Sequence, residues 1–240
     1  MGGRLIPYPR DEAPVDPPNR SPDYVGTRRR APEQPLVLLP QSLTEVTGPL
    51  LGPGRVTPRD ADLTAQHAGE PVGERIIVFG RVLDSDGRPV RNSLVEVWQA
   101  NAAGRYRHPW DTHPAPLDEH FDGVGRTLTD MDGAYRFVTI KPGPYPWHNN
   151  PNAWRPSHVH FSLFGDAFVQ RLVTQMYFPG DPLFFQDPIM NAIPDPRGRE
   201  RLISRLDMDA SVPDWALAFR FDIVLRGRHQ TPFEHEEDEA

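Results

Sequence analysis

The chain has 240 residues, 38% of them hydrophobic and 25% charged, which is material for one sizeable core and excludes a wholly disordered polypeptide. Its 29 prolines and 19 glycines exclude a mostly helical bundle, because proline lacks a backbone donor and glycine resists helical ordering. A net charge of −7 and the lack of any cysteine exclude a basic nucleic-acid footprint, disulfides and thiolate metal sites, so a metal must be held by nitrogen or oxygen.

No run approaches the roughly 20 apolar residues of a membrane span, and the N-terminus lacks the apolar stretch of a signal peptide, which predicts a cytoplasmic protein. Residues 1–40 are dense in proline and read as an extended arm. Within it Arg28, Arg29 and Arg30 form either a solvated patch or an attractor for an anionic ligand. Residues 41–233 read as one β-sandwich catalytic domain and 234–240 as an acidic tail. Arg75–Leu83 is an apolar run broken by Gly80 and followed by the turn signal Asp86-Gly87; Leu94–Trp98 is a second strand. Asp132-Gly133 introduces Ala134–Ile140, and His158–Phe164, Arg171–Phe178 and Phe219–Leu225 are further strands. Only Arg197–Leu206 carries a helical stripe, formed by Leu202, Ile203 and Leu206. Without alternation of strands and helices, the pattern predicts an all-β fold: a single β-sandwich of antiparallel or mixed sheets with long loops and the proline-rich arm.

Side chains two apart on a strand share a face, so His158 and His160 can reach one point. That spacing suits a pair of metal ligands, and equally two histidines satisfied by hydrogen bonds. Tyr145 lies between Pro144 and Pro146, which press it into extended backbone; it is either a side chain on a stiff stalk or an aromatic covering the core. Tyr106, in Gly104-Arg105-Tyr106, follows Trp98-Gln99-Ala100-Asn101 in a loop and alone reads as an anchor.

Together these segments carry a resemblance. Val95-Glu96-Val97-Trp98-Gln99-Ala100-Asn101, Gly104-Arg105-Tyr106, Leu128-Thr129-Asp130, Ile140–Trp147 and Trp154-Arg155-Pro156-Ser157-His158-Val159-His160-Phe161 follow in the order found in the intradiol ring-cleavage dioxygenases, which the chain resembles from about Pro22 to Gly227. The resemblance implies one non-haem ferric ion per chain, Fe(III), ligated by Tyr106, Tyr145, His158 and His160. Such an ion is a hard acid whose charge stabilises phenolate, and two phenolates with one hydroxide neutralise it while the histidines stay neutral.

The resemblance further implies that Tyr145 is the ligand released to substrate and Tyr106 the one retained. Arg155 would stabilise negative charge developing on the ring, and Gln175 would orient ligands beside the metal. Protocatechuate (3,4-dihydroxybenzoate) is the expected substrate, opened by dioxygen to 3-carboxy-cis,cis-muconate. Tyr24 and Arg30 are expected to meet its carboxylate, and Trp147 and Ile189 to wall its ring. His148 stands where the resemblance leads one to expect arginine, so hydroxyquinol or a sulfonated catechol is the alternative. The expected partner is a homologous α chain in a hetero-oligomer. A reading from another class is a non-catalytic β-sandwich binding module using Trp98, Trp110, Trp147, Trp154 and Trp215.

Overall fold

The protein was analysed as a computed structural model, in which residues 6–7, 15–31, 34, 37–38, 56–147, 152–164, 171–225 and 229–232 are described, with backbone alone at 6–7, 30, 37–38 and 171. The predicted acidic tail and His148 lie outside these residues, as does the side chain of Arg30.

Thirteen strands occur among the described residues. Ile6–Pro7 (β1) and Val37–Leu38 (β2) pair antiparallel. Arg75–Leu83 (β3), Leu94–Trp98 (β4), Val124–Leu128 (β5), Ala134–Ile140 (β6), Tyr145–Trp147 (β7), Ala153–Arg155 (β8), His158–Phe164 (β9), Arg171–Tyr177 (β10), Arg205–Val212 (β11), Ala216–Arg220 (β12) and Ile223–Val224 (β13) follow. One antiparallel sheet has the order β10-β9-β4-β5. The second is mixed: β3 pairs antiparallel with β6 along one edge and parallel with β12 and then β13 along the other, while β11 borders β12. The two sheets close on a core to which the first contributes Val95, Val97, Val159 and Phe161, and the second Ile76, Val78, Phe137 and Phe219. This is the expected β-sandwich.

Period-two alternation decides what faces this core. On β9, Val159, Phe161 and Leu163 enter it, so His158 and His160 point to the opposite, outer face of the sheet. The functional residues therefore gather on the outside of the four-stranded sheet, beneath loops and the small β7–β8 pair. Short helices are few: Thr27–Arg30 (α1), Pro188–Asn191 (α2) and Pro196–Glu200 (α3). Among the described residues no helix is long and apolar enough to cross a membrane.

Two expectations need correction. The helix expected over Arg197–Leu206 is α3 alone, and Leu206 already lies in β11. Its stripe is used differently: the Tyr177 N–H donates to Leu202 O at 2.8 Å and the Ser204 N–H to Tyr177 O at 2.8 Å, which draws the chain out of the helix and against β10. The strand expected over Phe219–Leu225 is two strands, because Phe221 turns aside to receive the Tyr135 hydroxyl at 2.5 Å on its carbonyl before the chain rejoins β3 at Val82.

The arm is built locally around Tyr24. The Thr27 hydroxyl accepts from Ser21 N at 2.9 Å and reaches Tyr24 O at 2.7 Å, closing Ser21–Tyr24 into a turn that leads into α1. Pro22 fixes one φ of that turn, and Tyr24 is buried.

Candidate metal centre

Three segments bring four donor atoms to one place. β9 supplies His158 and His160. Their neighbours follow from register: Trp98 on β4 and Gln175 on β10 flank His160, and Tyr177 flanks His158. Trp98 stacks on the His160 ring at 4.8 Å between centroids and 3° between planes, fixing how that imidazole faces outward.

Tyr145 begins β7, directly opposite Arg155 on β8. Tyr106 comes from the loop after β4, and that loop is tied to the start of β7 by close backbone contact. Asn101 is the tie: its carbonyl accepts from Gly104 N at 3.0 Å and Gly143 N at 2.9 Å, and its side-chain oxygen accepts from Arg105 N at 2.9 Å. A Cβ at Gly104, whose φ is +78°, would run into the Pro144 carbonyl, and one at Gly143 into that of Ala102; glycine alone permits this approach. Asp111 accepts from Tyr106 N at 2.7 Å and completes the loop.

The four donors form a ring. Tyr106 Oη lies 3.5 Å from Tyr145 Oη, Tyr145 Oη 3.2 Å from His158 Nε2, His158 Nε2 3.2 Å from His160 Nε2, and His160 Nε2 3.1 Å from Tyr106 Oη. Bonds of about 2 Å from four donors to one ion set neighbouring donors about 3 Å apart, so the ring has the size of a metal's coordination shell. Tautomer agrees with size. His158 Nδ1 is 2.6 Å from the Pro156 carbonyl, which can only accept, so Nδ1 bears the hydrogen and Nε2 presents its lone pair inward.

Electrostatics keeps the imidazoles neutral. Burial, with the nearby Arg155 charge, pushes His160 down to about 3. Burial, Arg155 and His160 hold His158 well below the usual histidine range. Burial and the neighbouring Tyr145 raise the Tyr106 phenol well above 10. Without a cation the site thus presents neutral imidazoles and a protonated Tyr106; a highly charged cation reverses the phenol's preference. Among the described residues no three of His, Asp and Glu converge on a metal position, so an ion at this place must draw on phenolic oxygen, which suits a hard, trivalent metal.

Beside the ring lies a buried polar network. Arg155 is 2% exposed and Asp187 0%. Arg155 Nε sits 3.0 Å from Asp187 Oδ1, and Nη2 donates to Asp187 Oδ2 at 3.1 Å, with Gln175 Oε1 and Tyr177 Oη also in its reach. Burial pulls the guanidinium's pKa down, but Asp187, Tyr145 and Tyr177 more than offset it, and the arginine stays charged. Because Gln175 Oε1 is engaged by Arg155 and Tyr177, its amide nitrogen is the end left for a ligand.

Of the remaining expected residues, Tyr24, Trp147 and Ile189 fall around this centre. Tyr24 meets Trp147 edge to face at 5.1 Å, and the Arg155 guanidinium lies 6.0 Å from the Trp147 ring. Ile189 is buried in α2, linked to the network by its N–H to Asp187 Oδ1 at 2.9 Å. Arg30 ends α1, six residues beyond Tyr24. Sequence reasoning missed Asn101 and Asp111 as scaffolding for Tyr106, and Tyr177 and Asp187 as partners of Arg155. The pair Asp187-Pro188 carried a signal, since Asp before Pro marks a helix start, but nothing local to it points toward Arg155.

Residues 46–227 match the family described as Dioxygenase. The chain is 57% identical to the protocatechuate 3,4-dioxygenase beta chain of Burkholderia cepacia over 98% of this chain and 100% of that one. It is 32% identical to the protocatechuate 3,4-dioxygenase alpha chain of Pseudomonas putida, over 83% of this chain and 98% of that one. The solved catechol 1,2-dioxygenase of Acinetobacter sp. ADP1 superposes with a TM-score of 0.51 at 27% identity, over 68% of this chain and 55% of that one.

Proposed function

This chain belongs to the intradiol ring-cleavage dioxygenase family, and from that premise we propose that it is the iron-bearing β chain of a protocatechuate 3,4-dioxygenase. The reading rests above all on one observation: two phenol oxygens and two imidazole nitrogens, 3.1–3.5 Å apart, ring a single point beside a buried, charged arginine. The substrate and the related α partner are supported by the names of the relatives in Burkholderia cepacia and Pseudomonas putida. A cytoplasmic, hetero-oligomeric enzyme follows from this reading.

Tyr106, Tyr145, His158 and His160 would hold a ferric ion, which when bound would supply the Lewis acidity and electron affinity that open a catechol to dioxygen. His158 and His160 bind as neutral bases, needing no proton release at any pH above their depressed values. Tyr106, fixed through its backbone by Asp111, would be the retained donor. Tyr145 would be the donor that yields to substrate, and its Oη is placed to take a proton from a catechol hydroxyl.

Arg155 holds a fixed positive charge beside the ring, where water-poor surroundings strengthen it toward negative charge that develops during cleavage. Gln175 offers its amide N–H to the same region. Trp147 and Ile189 would wall the ring, and Tyr24, edge-on to Trp147, would donate to the carboxylate. Protocatechuate gains both atoms of one dioxygen and loses nothing, yielding the ring-opened tricarboxylate.

Purified, iron-loaded protein with its α chain should consume one dioxygen per protocatechuate and place two labelled oxygens in the product. Stoichiometric iron without dioxygen uptake on protocatechuate, but with uptake on hydroxyquinol, would reassign the substrate. A protein that binds no iron would reject the site.

A further inference from the structure

Arg155 is buried in the wall of the site, and a buried cation is costly unless it is paired. Its counter-charge is Asp187, more deeply buried still, which uses both oxygens on it. Asp187 Oδ1 lies 3.0 Å from Nε and Oδ2 accepts from Nη2 at 3.1 Å. The same carboxylate accepts from the Tyr177 hydroxyl at 2.8 Å and, through Oδ1, from the Ile189 N–H at 2.9 Å. One side chain thus sets the direction of the guanidinium, the place of the Tyr177 hydroxyl against Gln175, and the first turn of α2, where Ile189 sits.

We infer that Asp187 is a positioning residue for the ring-cleavage reaction: it aims the Arg155 guanidinium at the ring and couples that aim to the apolar wall formed by Ile189. The inference rests on the proposed function for the identity of the reaction; the aim itself is a property of the chain. An arginine beside a planar substrate has five donors and a long, flexible stem, and a carboxylate behind it, hydrogen-bonded at Nη2 and ion-paired at Nε, limits that freedom before the substrate arrives. A carboxylate shifted by one methylene no longer fits both the guanidinium and the N-terminal turn of α2. Asparagine there keeps the acceptor for Ile189 N and can still cap the helix, but loses the charge opposite Arg155.

The test compares the parent with Asp187→Asn and Asp187→Glu, each iron-loaded and assembled with its α chain. Both variants should hold iron and show the parental visible band. Without oxygen, protocatechuate should bind within about threefold of the parent's Kd. In air, kcat should fall at least about tenfold, giving a loss in kcat rather than in substrate binding. A crystal structure of either variant, with or without metal, should find Arg155 Nη2 displaced from Gln175 Oε1 by more than about an ångström.

If Asp187→Asn does not fold because it leaves a buried guanidinium unpaired, Asp187→Glu keeps the charge and carries the test alone. Parental kcat in a folded variant, or an unmoved Arg155, overturns the inference. An equal loss in the Kd for protocatechuate assigns Asp187 to substrate binding and overturns it as well. A parent inactive on protocatechuate would count against the proposed function, while the position of Arg155 in the variants still decides whether Asp187 sets its aim.

Discussion

The burial that keeps the His158 and His160 imidazoles neutral also makes them a weakness in the metal-free protein. In the unfolded chain each would titrate near 6.5, whereas the folded metal-free site holds His160 down to about 3 and His158 well below its usual range. Between these values the unfolded chain binds more protons than the folded one. Stability of the metal-free protein therefore falls as pH drops from about 6.5 toward 3, by up to about 1.4 kcal/mol per pH unit for each histidine. Urea midpoints of metal-free protein taken from pH 7 to pH 4 should decline steeply, and the His158→Gln/His160→Gln pair should flatten the decline; equal slopes would contradict the burial argument. Each of His158→Ala and His160→Ala should lose iron during dialysis against a chelator that the parent withstands, since a missing ligand leaves the ion poorly held.

Tyr24 offers a second residue-scale prediction. An unpaired carboxylate in a partly buried site costs about 1–3 kcal/mol, so Tyr24→Phe should raise KM for protocatechuate roughly tenfold and leave kcat nearly unchanged. Catechol, which lacks the carboxylate, should show no such change. An equal effect on both substrates would place Tyr24 in ring packing against Trp147 and not in carboxylate recognition.

At the scale of elements, what could be read in the sequence divides along physical lines. β3, β4, β6 and β9 lie where their apolar runs predict, because each buries a continuous face and alternation leaves no other register. His-Val-His on β9 could be read as a convergent pair for that reason. β7 and β8 could not: they are three residues each, one contains Pro146, and their pairing serves to set Tyr145 opposite Arg155 rather than to fill the core. The stripe of Leu202, Ile203 and Leu206 imitated a helix, but Leu202 and Ile203 pack against Tyr177 of β10 while Leu206 lies exposed in β11. Asp187 lay beyond reach for another reason: its charge partner is 32 residues away in sequence.

The loop after β4 shows how an irregular element acquires precision. Gly104 stands at positive φ where its hydrogen touches the Pro144 carbonyl, and Asn101 fastens both tyrosine-bearing segments. Gly104→Ala should separate the two loops, with a cost on the order of 1–3 kcal/mol from backbone strain. The expected result is a lower melting temperature together with weaker iron retention. Loss of stability with iron affinity unchanged would mean that the loop approach does not set the tyrosine spacing.

For the whole molecule, the sandwich acts as a rigid plate: one face of the four-stranded sheet builds the core, and the other carries histidines, Gln175 and Tyr177 in fixed register. Loops then need only to deliver two tyrosines and the arm only to deliver Tyr24. This division explains why the resemblance could be recognised from short blocks in order, since the blocks carry the four candidate donors and the segments that support them. The central claim is that two tyrosinates and two histidines of this chain hold a ferric ion that exchanges Tyr145 for substrate. Resonance Raman spectroscopy of the iron-loaded protein, excited in its visible band, tests it most directly. Two tyrosinate environments should be present at rest and fall to one when protocatechuate saturates the protein without oxygen; a colourless protein with one iron per chain, or two tyrosinates persisting in the saturated complex, would contradict it.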